Sequence, residues 1–308
     1  MKGEDLMYDV AIIGGGPAGL SAGIYAARAN LKTVIIERGL HGGQMQNTLD
    51  IENYPGFDTI EGPSLSELMY NQALKVGVEW KYGDVSGVDL EGQPKTLQLG
   101  DGILEARSVI IASGAKPRPL GVPGEAEFTG RGLSYCATCD GALFKGADVI
   151  VVGGGDSAIK EALLLTRYAQ SVTVVHRRDA LRAAGILRDR AFANPKIKFV
   201  WDSVVERVEG NARVSGVVIR NVKDDSTQML AASGVFIYVG VDPVTSFLQG
   251  SPILDEKGYI LAGSDMATTI PGVFAAGDVR ATSLRQIVTA ASDGAAAGLH
   301  AYEYLETL

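Results

Sequence analysis

One hydrophobic pattern runs twice along the chain. From Val10, VAIIGGGPAGLSAGIYAARANLKTVIIER passes from a β-branched apolar run through three glycines into small and apolar residues at helical spacing, then into a second β-branched run. From Val149, VIVVGGGDSAIKEALLLTRYAQSVTVVHRR goes through the same stages. Each predicts a strand, a tight turn, an amphipathic helix and a second strand, which is a βαβ unit. Elsewhere the elements are shorter. IIASG and GVFIYVG predict strands that complete the two sheets, and residues 273–276 of GVFAAGDV predict another. Residues 199–240 alternate β-branched stretches with turn residues and predict small antiparallel strands attached to the second sheet. RQIVTAASDGAAAGLHAYEYL has few breakers and predicts a helix that begins near residues 285–287.

The glycines fall at spacings with a physical meaning. Gly14, Gly16 and Gly19 follow G-x-G-x-x-G, and Gly153, Gly155 and Ala158 follow G-x-G-x-x-A. The first glycine permits the tight turn, the second removes a Cβ that would block a pyrophosphate, and the third small residue lets helix approach strand. A diphosphate then sits on the helix N-terminus, so Pro17 and Ala18 in one unit, and Asp156 and Ser157 in the other, count with the cofactor residues.

The ends of the second strands separate the two nucleotides. Glu37 lies 23 residues after Gly14, where a carboxylate accepts hydrogen bonds from ribose hydroxyls. At the same offset from Gly153 stands His176, followed by Arg177, Arg178 and, one helical turn on, Arg182. Guanidinium groups bind a 2′-phosphate that a carboxylate would repel, so this unit reads as NADPH-binding; a solvated basic loop is the alternative. The first unit then reads as FAD-binding. Gly277 and Asp278 follow a short strand and present a carboxylate to ribityl hydroxyls, unless Asp278 is only a turn residue. Arg285, Gln286 and Ile287 place backbone N–H groups and a helix dipole at a flavin that becomes anionic on reduction.

Because the FAD unit starts near the N-terminus and its ribityl-contacting segment lies near the C-terminus, the NADPH unit must be inserted between two halves. Gly and Pro interrupt apolar strands at residues 113–125 and 238–247, which sets the expected crossings. The predicted architecture is α/β, with two Rossmann-like dinucleotide-binding domains in three ββα layers. A discontinuous FAD domain (1–117 and 248–308) receives an NADPH domain (118–247).

Composition narrows the function classes. The net charge of −8 disfavours a nucleic-acid partner. Acidic residues precede a very short apolar run at the N-terminus, unlike a signal peptide, and no stretch nears the length of a membrane span, so a cytoplasmic, reducing location is expected. There a structural disulfide is disfavoured. Yet Cys136 and Cys139, the only two cysteines, stand two residues apart. A bridge between them would close so small a loop that chain entropy contributes only about 2 kcal/mol. Zinc would need two more ligands, and the chain offers no second cysteine pair, only His41, His176 and His300. A redox-active dithiol is the reading that remains. Asp140, next in sequence, is a candidate proton donor and acceptor for the thiols if burial raises its pKa; the rival reading is that Asp140 and Gly141 form a turn.

IIGGGPAG, GGQMQ with IENYPGF, CATCDG, GGGDSA, HRRDALRA and FAAGDV followed by RQI together resemble the low-molecular-weight, bacterial-type thioredoxin reductases along nearly the whole chain. The resemblance implies an FAD-containing homodimer that passes electrons from NADPH through flavin and the Cys136/Cys139 disulfide to thioredoxin. It implies that Gly42, Gly43, Gln44 and Asn53 line the flavin site, that Cys139 faces the flavin and that Cys136 attacks thioredoxin. Gly114, closing IIASG, completes the cofactor candidates. The alternative is a related flavoprotein that reduces another protein disulfide, of a glutaredoxin-like or peroxidase-linked partner, or takes electrons from a different donor.

Overall fold

The computed structural model describes residues 7–47, 50–282 and 284–308, with the side chains of residues 47, 50, 138 and 139 outside the description. The chain forms two compact units, one from Met1–Lys116 and Asp242–Leu308, the other from Pro117–Val241. The crossings lie at Lys116/Pro117 and Val241/Asp242, and there Ala115–Pro117 and Val241–Pro243 pair as a two-stranded ribbon.

In the first unit, Tyr8–Ile13 lies parallel between Thr33–Glu37 and Gly102–Ile111, and Thr33–Glu37 pairs onward with Glu79–Tyr82. Gly102–Ile111 serves different partners along its length. Its first half pairs antiparallel with Lys95–Leu99, which continues to Gly87–Asp89, and its second half pairs parallel with Val273–Ala275. Successive strand residues feed opposite cores. Val10, Ile12, Ile35 and Ile110 face a core shared with the helices Pro17–Arg28, Gly62–Lys75 and Ile287–Glu306. Ala11, Ile13, Val34, Ile36 and Ile111 face one shared with Leu97, Leu99 and Leu104 of the meander. Strands buried on both faces take mostly apolar side chains, which is why the strand sequences read as near-continuous runs, and a buried polar exception such as Ser108 donates to a backbone carbonyl, that of Gly272 at 2.9 Å.

The helices Pro17–Arg28 and Ile287–Glu306 meet along small residues. A Cβ at Gly294 would come 2.0 Å from the Ala18 carbonyl oxygen, and one at Gly298 2.6 Å from that of Ala22. This close approach fixes the start of the C-terminal helix against the first glycine turn.

The second unit repeats the plan. Leu133–Ser134, Gly234–Tyr238, Asp148–Gly153, Ser171–Val175 and Ile197–Val200 form a parallel sheet in that order. The helices Asp156–Leu165 and Gly185–Ala193 share a core with Val149, Val151, Val174 and Phe236 on one face. The antiparallel strands Ser203–Gly210, Val214–Asn221 and Thr227–Ala231 cover Ile150, Val152 and Ile237 on the other. IIASG and GVFIYVG thus end strands inside their sheets, not at an edge. Among the described residues no helix is long and apolar enough to cross a membrane.

Candidate functional site

The first glycine turn has the geometry its spacing requires. Gly14 has φ +106°, and a Cβ there would lie 2.4 Å from the Ala112 carbonyl oxygen. A Cβ at Gly19 would meet the Gly14 carbonyl at 1.8 Å, whereas one at Gly16 would project into open space with nothing within 4 Å. Packing therefore explains Gly14 and Gly19, and leaves Gly16 as a cradle that a side chain would fill. Pro17 opens the helix and Ala18 is buried behind it. Glu37 is drawn to this turn: Oε2 accepts the Gly15 N–H at 2.8 Å and Oε1 the Gly39 N–H at 2.8 Å.

Further segments converge here. The Gly42 N–H donates to the Gly15 carbonyl at 2.7 Å, and a Cβ at Gly43 would lie 3.4 Å from the Gly16 Cα. Gln44 Nε2 donates to the Ala115 carbonyl at 3.1 Å, tying this loop to the chain just beyond Gly114, whose φ is +71°. A Cβ at Gly277 would touch that of Ala18 at 2.9 Å, so Asp278 emerges beside the first helix. Burial pushes the Asp278 carboxyl up, the Arg285 guanidinium pulls it down and Asp293 adds to the rise. The Arg285 guanidinium stacks over Tyr259 at 4.6 Å, and its buried Nε lacks a hydrogen-bond partner among the described residues. Asn53 Nδ2 donates to Gln286 Oε1 at 2.8 Å; Gln286 is the N-cap of the helix beginning at Ile287 and closes a capping box with Thr289. All the first-unit candidates named from the sequence thus lie on the segments that surround one turn.

The second turn matches the first. A Cβ at Gly153 would lie 2.3 Å from the Tyr238 carbonyl oxygen and 2.9 Å from the Ala158 Cβ, while Gly155 again has open space within 4 Å. Asp156 Oδ1 accepts the Ala184 N–H at 2.7 Å and the Arg182 N–H donates to the Gly154 carbonyl at 2.7 Å, which pins the basic loop to the turn. Ser157, Arg177, Arg178 and Arg182 are exposed around it. His176 is different. Its ring lies under the turn, where a Cβ at Gly154 would come within 2.5 Å of it, and it is only 4% exposed. Burial, with the Arg182 charge, lowers its pKa, so a neutral imidazole props the glycines from below.

The cysteine motif occupies the same unit. Cys136 is disulfide-bonded, and the one other cysteine in the sequence is Cys139, whose side chain lies outside the described residues. The Cys136 N–H donates to Ser134 Oγ at 2.9 Å, and the Asp140 N–H donates back to the Cys136 carbonyl at 3.1 Å, closing the short helix Ala137–Asp140. The Ala137 N–H donates to the Tyr238 hydroxyl at 2.7 Å. Burial raises the Tyr238 pKa strongly, and the nearby carboxylates of Glu161 and Asp140 raise it further. Sequence reasoning missed two of these groups. Glu161 has its carboxyl pushed up to about 7 by burial, with Lys160 opposing, and Oε2 is shut off from solvent without a partner. The signal was present: Glu161 stands three residues after Ala158 and four before Leu165, both buried, so it interrupts an apolar helix stripe.

Comparison with known proteins shows the family and the fold. The family profile described as pyridine nucleotide-disulphide oxidoreductase matches residues 8–294. Thioredoxin reductase of Listeria monocytogenes serovar 1/2a is 52% identical across 100% of this chain and 97% of its own length. The Bacillus subtilis thioredoxin reductase is 49% identical across 99% and 97%. The crystal structure of Lactococcus lactis thioredoxin reductase superposes with a TM-score of 0.96 at 50% identity, covering 98% of this chain and 100% of that one. That of the T. acidophilum enzyme gives 0.92 at 35%, covering 97% and 99%.

Proposed function

The chain belongs to the pyridine nucleotide-disulphide oxidoreductase family, and from that premise we propose that it is an NADPH-dependent thioredoxin-disulfide reductase with FAD. When bound, FAD supplies the two-electron relay between NADPH and the Cys136/Cys139 disulfide, which in turn reduces thioredoxin. Gly14, Gly16 and Gly19 cradle the FAD diphosphate on the N-terminus of Pro17–Arg28, and Glu37, already oriented by the Gly15 N–H, accepts ribose hydroxyls. Gly42, Gly43, Gln44, Asn53, Gly114, Gly277, Asp278, Arg285, Gln286 and Ile287 form the remaining wall. At the second turn, Gly153, Gly155, Asp156, Ser157 and Ala158 receive the NADPH diphosphate. The exposed guanidiniums of Arg177, Arg178 and Arg182 bind the 2′-phosphate, and His176 acts from beneath as a support.

Cys136 opens the thioredoxin disulfide and Cys139 resolves the mixed disulfide. Asp140, whose N–H caps the Cys136 carbonyl, exchanges protons with the thiols. A single observation carries the reading: the Cys136 disulfide lies in the unit whose open glycine turn is ringed by exposed arginines. The test is NADPH-driven reduction of thioredoxin by the FAD-loaded protein. Cys136→Ser and Cys139→Ser each abolish transfer to thioredoxin, and normal transfer in either variant defeats the assignment.

A homodimer and a cytoplasmic location complete the proposal. Tyr25 and Leu299, exposed on the two helices that cross in the FAD unit, supply an apolar face for a second copy, which sedimentation of the purified protein would measure. A reducing compartment is where such a disulfide is recycled instead of remaining oxidised.

A further inference from the structure

The chemistry so far leaves Glu161 without a task. The helix Asp156–Leu165 carries it in towards the cysteine motif, and its Oε2 has no hydrogen-bond partner there. Close by, the Tyr238 hydroxyl accepts the N–H of Ala137, the residue that follows Cys136. Glu161 and Asp140 both raise the Tyr238 pKa, so these groups form one electrostatic cluster around the start of the cysteine helix. A buried carboxyl costs stability unless it holds a proton or finds a partner, and it gives nothing to packing that leucine would not.

We propose that Glu161 is a positioning residue for the sulfur chemistry, acting through the Tyr238 phenol to hold the proton that balances the charge created when the Cys136 disulfide opens. The step balances as follows: NADPH supplies two electrons and one proton and becomes NADP⁺, the S–S bond breaks, and one sulfur leaves as thiol and the other as thiolate. The thiolate adds a negative charge to a cluster that already holds the Asp140 and Glu161 carboxyls, and this raises the proton affinity of Glu161. Wherever the carboxyl was ionised before reduction, it takes one proton from solvent. Lys160, exposed on the same helix, opposes the effect weakly. Arg188, Asp189 and Arg190, on the helix packed beside it, are exposed, and Asp140 contributes from the cysteine helix.

Linkage gives the readout. Glu161 is protonated in both redox states at low pH and ionised in both at high pH, so reduction becomes harder as pH rises between its two pKa values. Each unit between those values is about tenfold in the equilibrium constant for reduction. FAD-loaded protein is equilibrated in dithiothreitol redox buffers from pH 6 to 9, quenched in acid, alkylated and counted for thiols by mass. Relative to E161Q, reduction of the wild-type pair falls by about tenfold across this range, with the bend near neutrality, and E161D retains a bend. Y238F keeps the ring packing and displaces the bend. Parallel plots for wild type and E161Q, or a Y238F plot superposed on wild type, overturn the proposal. It rests on the Cys136/Cys139 pair being the redox centre, and the wild type alone tests that premise. A wild-type protein that gains no thiols with NADPH refutes the premise, whereas parallel plots in proteins that do gain them refute only the role of Glu161.

Discussion

Arg177 and Arg178 project from the end of a strand whose next inward group, His176, is buried, so their side chains reach solvent without an alternative task. A 2′-phosphate is the only difference between NADPH and NADH, and charge-assisted hydrogen bonds contribute about 1.5–3 kcal/mol each. Replacing both by Gln raises KM for NADPH by about a hundredfold and leaves that for NADH nearly unchanged; steady-state kinetics with both nucleotides measures it. The offset from the glycine turn made these arginines and Glu37 legible in the sequence, because strand and helix lengths in a βαβ unit fix where the second strand ends. The same offset could not say that the His176 ring turns inward, since that follows from the missing Cβ at Gly154. Nor could it reveal Glu161, whose carboxyl has a folded pKa of about 7 against 4.5 for an ordinary glutamate. The folded state binds the extra proton between those values, so stability falls as pH rises from 4.5 through 7. Glu161→Gln removes the loss. The unfolding free energy of the variant exceeds that of wild type by about 3 kcal/mol at pH 8.5, with little difference at pH 4.5, as denaturation curves at the two pH values would measure.

At the level of elements, the two turns offer a matched pair of substitutions. Gly16 and Gly155 have φ −76° and −95°, which any residue adopts, and nothing lies within 4 Å of a Cβ at either. Gly14 and Gly153 would instead clash with backbone at 2.4 and 2.3 Å. Gly16→Val therefore leaves the fold intact and obstructs only the FAD diphosphate, while Gly155→Val obstructs only that of NADPH. The flavin absorbance of Gly16→Val purified without added FAD drops at least tenfold, roughly the cost of displacing a diphosphate from its helix terminus. Gly155→Val keeps its flavin and loses a similar factor in NADPH affinity. If both variants lost flavin equally, the allocation of cofactors to turns would be wrong. Periodicity showed the existence and type of these elements because strands buried on both faces carry few polar positions. It did not show that Gly102–Ile111 lies inside its sheet with a parallel and an antiparallel partner, since pairing order is set by contacts remote in sequence.

At the level of the whole molecule, insertion was legible because the first glycine turn and the GVFAAGDV segment, read as parts of one unit, lie on either side of the second glycine turn in sequence. The consequence is mechanical. On the proposed assignment the cysteine pair and the NADPH turn share one unit and the FAD turn belongs to the other, so two different parts of the inserted unit would serve one flavin, and the cysteines would also meet a protein partner. One fixed placement of a disulfide cannot both touch a cofactor and admit a macromolecule, and the chain passes between the units at Lys116/Pro117 and Val241/Asp242. Gly114 and Gly240, with φ +71° and +131°, stand at the ends of the ribbon formed there, where backbone rotation is least hindered. Rotation about these crossings is expected to alternate with each transfer. A reversible cross-link between the units then permits one transfer and no more: multiple turnover with NADPH and thioredoxin falls by at least tenfold, and cleaving the link restores it. Cross-linked protein that cycles at the uncross-linked rate would show that one arrangement of the units serves every step.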